Sequence, residues 1–195
     1  MPPSPPARFP PRLLPVLYFG AAHLALALAA AAVALDPRGI SGFFYHPWML
    51  ALVHLVTLGW VTASILGALY IVGPIALRLS LPATKVDYTA FGLVLTGIVG
   101  MVAHFWIEEY PGMAWSAATV GAGIMIVGGR VASRIGLATL PRAISAHIVL
   151  AFLNVAGAAT LGTLIGFDKV YHFLPGYVLS TVFAHAHLAA IGWAS

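Results

Sequence analysis

The chain has 195 residues, of which 61% are hydrophobic and only 7% are charged. A soluble domain needs more charged and polar side chains on its surface than this chain has. The composition therefore indicates an integral membrane protein and excludes an ordinary soluble domain. The absence of cysteine excludes disulfides, iron–sulfur clusters, thiolate-ligated heme and the Cys-x-x-Cys-His attachment of c-type heme.

The N-terminal part predicts an extended arm followed by a first membrane span. Residues 1–11 contain six prolines, a pattern typical of a disordered segment. An apolar span follows from about 12 to 35, with His23 near its middle. It is too long for the core of a signal peptide, so we expect a retained helix. The aromatic stretch 43–48 is typical of the boundary between membrane and water.

The second span, from about 48 to 79, contains a stripe of small residues. Gly59, Ala63 and Gly67 recur every four positions, which lets another backbone or a flat ring approach the helix closely. Further spans are predicted at about 88–107, 113–133, 143–166 and 176–195. We therefore expect an all-α fold, in which residues 12–195 form a single integral membrane bundle of six transmembrane helices.

The distribution of basic residues predicts the topology. With the N-terminus in the cytoplasm, only Arg38 and Lys169 of the nine basic residues lie outside. The inner residues are Arg8, Arg12, Arg78, Lys85, Arg130, Arg134 and Arg142. Because the charges are scattered over loops, they indicate topology and give no reason to expect nucleic acid as a partner. We expect a multi-pass protein of a bacterial-type inner membrane, with the lipid bilayer as its surroundings.

Two apolar segments share a motif built around histidine. The stretch Leu52-Val-His-Leu-Val-Thr-Leu-Gly-Trp60 aligns with His185-Ala-His-Leu-Ala-Ala-Ile-Gly-Trp193, so His54 corresponds to His187. Histidines inside membrane segments are functional candidates by default. Residues two positions apart on a helix differ by about 200° in direction, so His185 and His187 must face opposite flanks. One helix could therefore serve two sites.

The sequence Ala184-His-Ala-His-Leu-Ala, with Gly192, resembles the helix of the nitric oxide reductase large subunit, and of heme-copper oxidase subunit I, that carries one ligand for each of two hemes. The stretch around His54, continuing to Gly67-Ala-Leu-Tyr-Ile-Val-Gly-Pro74, is similar to that family's early helix, which supplies the other axial ligand of the low-spin heme. The resemblance covers roughly 47–76 and 183–195. It implies a heme b between His54 and His187, and a second heme on His185 if one is present.

Besides the two hemes, the family binds a copper or non-heme iron, and its histidine ligands are less well matched in this sequence. In the family, three histidines that include an adjacent pair hold this metal. Here only His104, His147 and His172 lie between the two motifs, and none are adjacent. A complete oxygen- or nitric-oxide-reducing centre is therefore not expected from these residues.

Three functions remain open at the level of sequence. The first is a heme-b protein of respiratory electron transfer or gas sensing, alone, as a homo-oligomer or as a subunit of a respiratory complex. The second is an oxidoreductase relative that retains nitric oxide or oxygen chemistry. The third is a cofactor-free membrane subunit or small transporter that uses histidines for packing, metal passage or proton relay.

A secondary site is predicted where the third span ends. His104 and Glu108 are four positions apart, which on a helix places imidazole and carboxylate on one face, where they could bind a metal or deliver protons. Hydrogen bonding in helix packing accounts for His147. His46 and His172 fall in aromatic boundary segments, where water or headgroups are the expected partners.

Overall fold

The computed structural model describes residues 10–136, 138 and 140–195, which form a bundle of helices with no strand in the described part. Of the arm expected over 1–11, only residues 10 and 11 fall within this part. The helices are α1 (Leu13–Leu35), α2 (Pro47–Ala76), α3 (Lys85–Trp106), α4 (Tyr110–Ile135), α5 (Arg142–Tyr171) and α6 (Val178–Trp193). The predicted all-helical class is confirmed.

Helices α1 to α5 are 22 to 30 residues long and apolar enough to cross a membrane. Helix α6 is apolar but shorter than a full span at ordinary helical rise. A membrane environment for the five long helices is thus supported by length and composition. The count of six spans stays a prediction.

Helix α5 extends further than the sequence predicts. The sequence predicts a span that ends at about 166, but the helix continues to Tyr171 and ends where His172 adopts a left-handed conformation with φ 49°. The segment contains no helix-breaking residue before Pro175, so nothing in its chemistry ends the helix earlier. As a consequence, Lys169 lies on α5 rather than in a loop.

Consecutive helices pack side by side, and α3 and α4 pack most closely. A Cβ atom added at Gly97 would lie 2.6 Å from Val120 Cγ2, and one added at Gly123 would lie 2.7 Å from Val94 Cγ2. Most of the buried core belongs to α1 through α4, whereas α6 contributes only Trp193 to it. Helix α6 packs mainly on α5 and leaves much of its surface exposed.

The small-residue stripe of α2 faces α1. A Cβ atom at Gly59 would lie 2.7 Å from Ala25 Cβ, and one at Gly67 would lie 3.0 Å from Tyr18 Cβ. Of the two neighbours expected for this stripe, another backbone or a flat ring, the structure shows the first, the backbone of α1. The surface of the stripe is already occupied by α1, because helices with small residues at their contact approach closely.

Both copies of the histidine motif lead into π-helical turns. Helix α2 is widened over Leu55–Thr62 and α6 over Leu188–Trp193, so each wide segment begins directly after the aligned histidine. Such turns are rare and often occur at functional sites. The repeated sequence thus produces the same local backbone twice.

A buried carboxylate joins three helices at the end of the bundle where α2 finishes. Asp87 of α3 is fully buried and accepts hydrogen bonds from Tyr70 Oη at 2.8 Å and Arg130 Nε at 3.2 Å. It also caps its own helix through the Thr84 backbone N–H at 2.8 Å. Since both charges are paired and the carboxylate is saturated with donors, this cluster fixes α2, α3 and α4 relative to one another.

Candidate functional site

His54 of α2 and His185 of α6 face each other across the bundle. Their ring centroids are 6.3 Å apart and their planes differ by 27°. His54 is seven positions after Pro47 and His185 is seven positions after Val178, so both lie about 10 Å from the same end of the bundle. We call this end, where α2 and α6 begin and α5 finishes, the histidine end.

Hydrogen bonds fix the orientation of both rings. His54 Nδ1 lies 2.7 Å from the Leu50 carbonyl oxygen, and His185 Nδ1 lies 2.8 Å from the Ala158 carbonyl oxygen on α5. Because a carbonyl oxygen can only accept, each Nδ1 atom carries the proton and donates it. The Nε2 atom of each neutral ring then keeps its lone pair for a metal, an arrangement usual for ligating histidines.

The surroundings of the two rings are apolar and closely fitted. The Phe105 ring lies 5.0 Å from the His54 ring, measured between centroids. The His185 ring lies over Gly162, where an added Cβ atom would be 3.0 Å from His185 Cε1. Glycine at this position lets the imidazole lie directly against the backbone of α5.

His187 does not join this pair. Its side chain is exposed, its Nδ1 atom donates to the Phe183 carbonyl at 2.7 Å, and no ring contact with His54 occurs in the described structure. As expected, His185 and His187 lie on opposite flanks of α6. The residue that meets His54 is His185, however, whereas the resemblance implies His187 for this pair and His185 for a second heme. Helix α6 starts at Val178 rather than at about 176. His185 is therefore seven residues from the start of its helix, as His54 is from the start of α2.

The predicted pairing of His104 with Glu108 is wrong. Helix α3 ends at Trp106, so Glu108 lies beyond it with φ 57° and the four-residue helical spacing does not apply. His104 Nε2 instead lies 3.7 Å from Glu109 Oε2, and its Nδ1 donates to the Gly100 carbonyl at 2.6 Å. This pair is partly exposed at the histidine end.

The remaining histidines lie apart from the pair. His23 and His147 are exposed along α1 and α5, and His46 caps α2 by accepting from the Trp48 N–H at 3.3 Å. Within the described ranges, no group of three or more histidines and carboxylates is arranged to hold a metal ion. The facing pair is therefore the arrangement with the clearest chemistry.

One cluster at the histidine end was missed at the level of sequence. The Lys169 ammonium lies 4.4 Å from the ring centroid of Tyr45 and 4.7 Å from that of Tyr110. The buried Tyr45 hydroxyl has no hydrogen-bond partner among the described residues, and burial, with Tyr110 and Asp168 nearby, raises the pKa of Tyr45 above its usual value. The seven-residue spacing between Gly162 and Lys169 places both residues on one face of α5, provided that the helix extends to Lys169. No pattern in the sequence pairs Lys169 with Tyr45 or Tyr110.

Comparisons with protein-family models, with curated proteins and with solved structures find no match to this chain. The chemistry of the site therefore rests on its own residues. Two neutral imidazoles, each held by a backbone carbonyl and each with an Nε2 lone pair, are nitrogen donors chemically suited to a metal ion.

Proposed function

We propose that this protein binds heme b inside the membrane and takes part in respiratory electron transfer. The observation that supports this most directly is the facing pair His54 and His185, which lie at equal depth and whose Nε2 atoms make no hydrogen bond to any described residue. Imidazole is a common axial ligand of heme iron, and the absence of cysteine leaves non-covalent b-type binding.

The spacing of the rings fits two imidazoles on opposite sides of one iron atom. A metal–nitrogen distance of about 2 Å and a further ~1 Å from nitrogen to ring centre place two such centroids roughly 6 Å apart. The observed separation is 6.3 Å. When bound, the heme supplies one-electron chemistry, and the protein supplies the ligands and their orientation.

The contribution of the chain itself is to hold and enclose the ligands. The Leu50 carbonyl, on the same helix as His54, and the Ala158 carbonyl, on α5, hold the two rings by their Nδ1 protons and leave each Nε2 as the nitrogen available to a metal. The Phe105 ring packs against the His54 ring and limits its movement. His54 and His185 would together hold the heme and leave its iron no open position, so we favour electron transfer over reduction of oxygen or nitric oxide at this pair.

A cofactor-free membrane subunit or transporter is the second candidate, because the histidines are also satisfied without a metal. His23, His104 and His187 donate Nδ1 to a carbonyl four residues earlier, just as His54 does. This bond alone therefore does not distinguish a ligand from a packing residue. The facing geometry of His54 and His185 is what sets these two apart.

The decisive measurement is an absorption spectrum of the purified full-length chain, before and after dithionite, following expression with a supply of heme. We expect a low-spin b-type spectrum that His54→Ala loses and His23→Ala retains. His23 is the matched control because it has the same local hydrogen bond on a different helix. Purification of a folded wild type without heme would reject the proposal in favour of the cofactor-free candidate.

We also propose that all six helices cross a bacterial-type inner membrane, with the N-terminus in the cytoplasm. The basic residues of the loops support this orientation, which places the histidine end outside. Cysteine at Ser41 should react with an impermeant reagent in intact cells, whereas cysteine at Ser133 should react only after permeabilisation. The reverse pattern would invert the topology and put the heme site on the cytoplasmic side.

A further inference from the structure

Lys169 is a half-buried cation whose hydrogen-bond donors are unused. Its ammonium lies between the rings of Tyr45 and Tyr110, yet it makes no ion pair or hydrogen bond within the described ranges. The neighbouring Asp168 carboxylate accepts instead from the Leu174 N–H at 2.6 Å. The aromatic faces attract the charge, and the Glu108 carboxylate is near enough to interact with it electrostatically, but no described residue accepts a hydrogen bond from the three ammonium N–H groups.

Lys169 lies on the same face of α5 as the histidine site. Gly162, which lies against the His185 ring, is seven positions earlier, and seven residues are close to two full turns. The ammonium is thus displaced from the histidine pair by about 10 Å along α5, toward the histidine end. A ligand held by the histidines could therefore reach the Lys169 ammonium with a substituent of its ring.

The Tyr45 hydroxyl adds a second unsatisfied group to the same place. It is buried without a partner in the part of the chain that the structure describes, and the Lys169 ammonium lies over its ring. A buried hydroxyl without a partner is costly, which indicates that an acceptor belongs here. An ammonium and a hydroxyl side by side form a donor pair suited to an oxyanion such as a carboxylate.

We propose that Lys169 and Tyr45 bind a propionate carboxylate of the heme held by His54 and His185. This inference rests on the proposed function, since it assigns the polar edge of the same ligand. Heme b carries two propionates on one edge, and a carboxylate entering a membrane protein needs a compensating charge. A lipid phosphate offers similar oxyanion chemistry, so the experiment separates the two sources.

The test titrates heme-free, full-length protein with heme b and with its dimethyl ester, whose propionates are uncharged. The wild type should bind the ester about ten- to a hundredfold more weakly than the free acid. Lys169→Gln should weaken binding of the free acid by a similar factor and lose the preference. Lys169→Arg should keep the preference, and Tyr45→Phe should reduce it in part. Lys85→Gln, the same change at the opposite end, should behave as wild type.

A second readout is the midpoint potential of the bound heme, measured by spectroelectrochemical titration. Removing the nearby positive charge in Lys169→Gln should lower this potential, because a cation favours the reduced form. Lys85→Gln should leave it unchanged.

The outcomes separate this inference from the function on which it rests. If Lys169→Gln keeps the wild-type preference for the free acid, the propionate subsite is overturned while heme binding stands. If the variant keeps that preference but retains less anionic lipid after purification, Lys169 binds a headgroup and the subsite is likewise overturned. If the wild type binds neither form of heme, the proposed function fails and the inference fails with it.

Discussion

The two copies of the histidine motif have the same backbone but different surroundings. Both widen into π-helical turns directly after the aligned histidine. In α2 the histidine is half-buried and Trp60 is 37% exposed, whereas in α6 the histidine is exposed and Trp193 is only 8% exposed. Trp193 also donates a hydrogen bond to Thr62 Oγ1 at 3.1 Å, which links α6 to α2.

The difference shows that a repeated motif specifies local conformation but not the neighbours that it contacts. Helix α2 has α1 on one side and α3 on the other, while α6 packs mainly on α5. The ring that reaches across to His54 therefore comes from His185, two positions before the aligned residue. The flank with His187 is left exposed.

The largest expected effect comes from separating the two histidines of α6. His185→Ala should abolish the low-spin heme spectrum, because it removes the ring that faces His54. His187→Ala should leave that spectrum unchanged, since its side chain is exposed on the other flank. Absorption spectra of the reduced proteins, recorded at equal protein concentration, measure both.

The opposite result would restore the pair implied by the resemblance. If His187→Ala abolishes the spectrum and His185→Ala keeps it, α6 must turn when the ligand binds, and His185 becomes the residue for a second heme. His147→Ala serves as the control because it alters an exposed histidine on α5.

Substitution of either motif glycine, Gly59 or Gly192, should be destabilising, because an added side chain would clash with a neighbouring helix. The neighbour differs between the two positions. A Cβ atom at Gly59 would meet Ala25 Cβ at 2.7 Å, and one at Gly192 would meet the Asn154 side chain. We expect each alanine variant to lose about 1–3 kcal/mol of stability through overpacking. Thermal unfolding followed by circular dichroism measures the loss. Gly20→Ala has open space and should melt as wild type or slightly higher; equal melting of all three variants would contradict the close packing.

The smallest expected effect is the difference in stability between variants of the two motif tryptophans. Trp193→Phe leaves the buried Thr62 hydroxyl without its donor and should cost about 1–2 kcal/mol. Trp60→Phe changes an exposed ring and should stay within about 0.5 kcal/mol. A double-mutant cycle with Thr62→Val isolates the hydrogen bond. A coupling energy near zero would show that this contact does not tie α6 to α2.

Several sequence predictions held where local chemistry decides the outcome. Long apolar stretches gave five helices of membrane-spanning length, and the spacing of His185 and His187 gave opposite flanks. The His104–Glu108 pair failed because α3 ends two residues before Glu108, and helix ends depend on capping and packing. Part of the network around Asp87 is visible in the sequence, since Thr84 and Asp87 have the spacing of a capping box, but its partners Tyr70 and Arg130 come from other helices.

The sequence by itself determined the helical class, the membrane-type composition, the repeated motif and the residues capable of ligating a metal. Each of these follows from side-chain hydrophobicity, helical periodicity or ligand chemistry, which act over a few residues. Only the tertiary structure decided that the small residues of α2 face α1, that His185 rather than His187 meets His54, and that Lys169 lies beside Tyr45. These contacts join residues far apart in the chain, and they depend on which helix surfaces pack together, a property of the whole bundle rather than of any one segment.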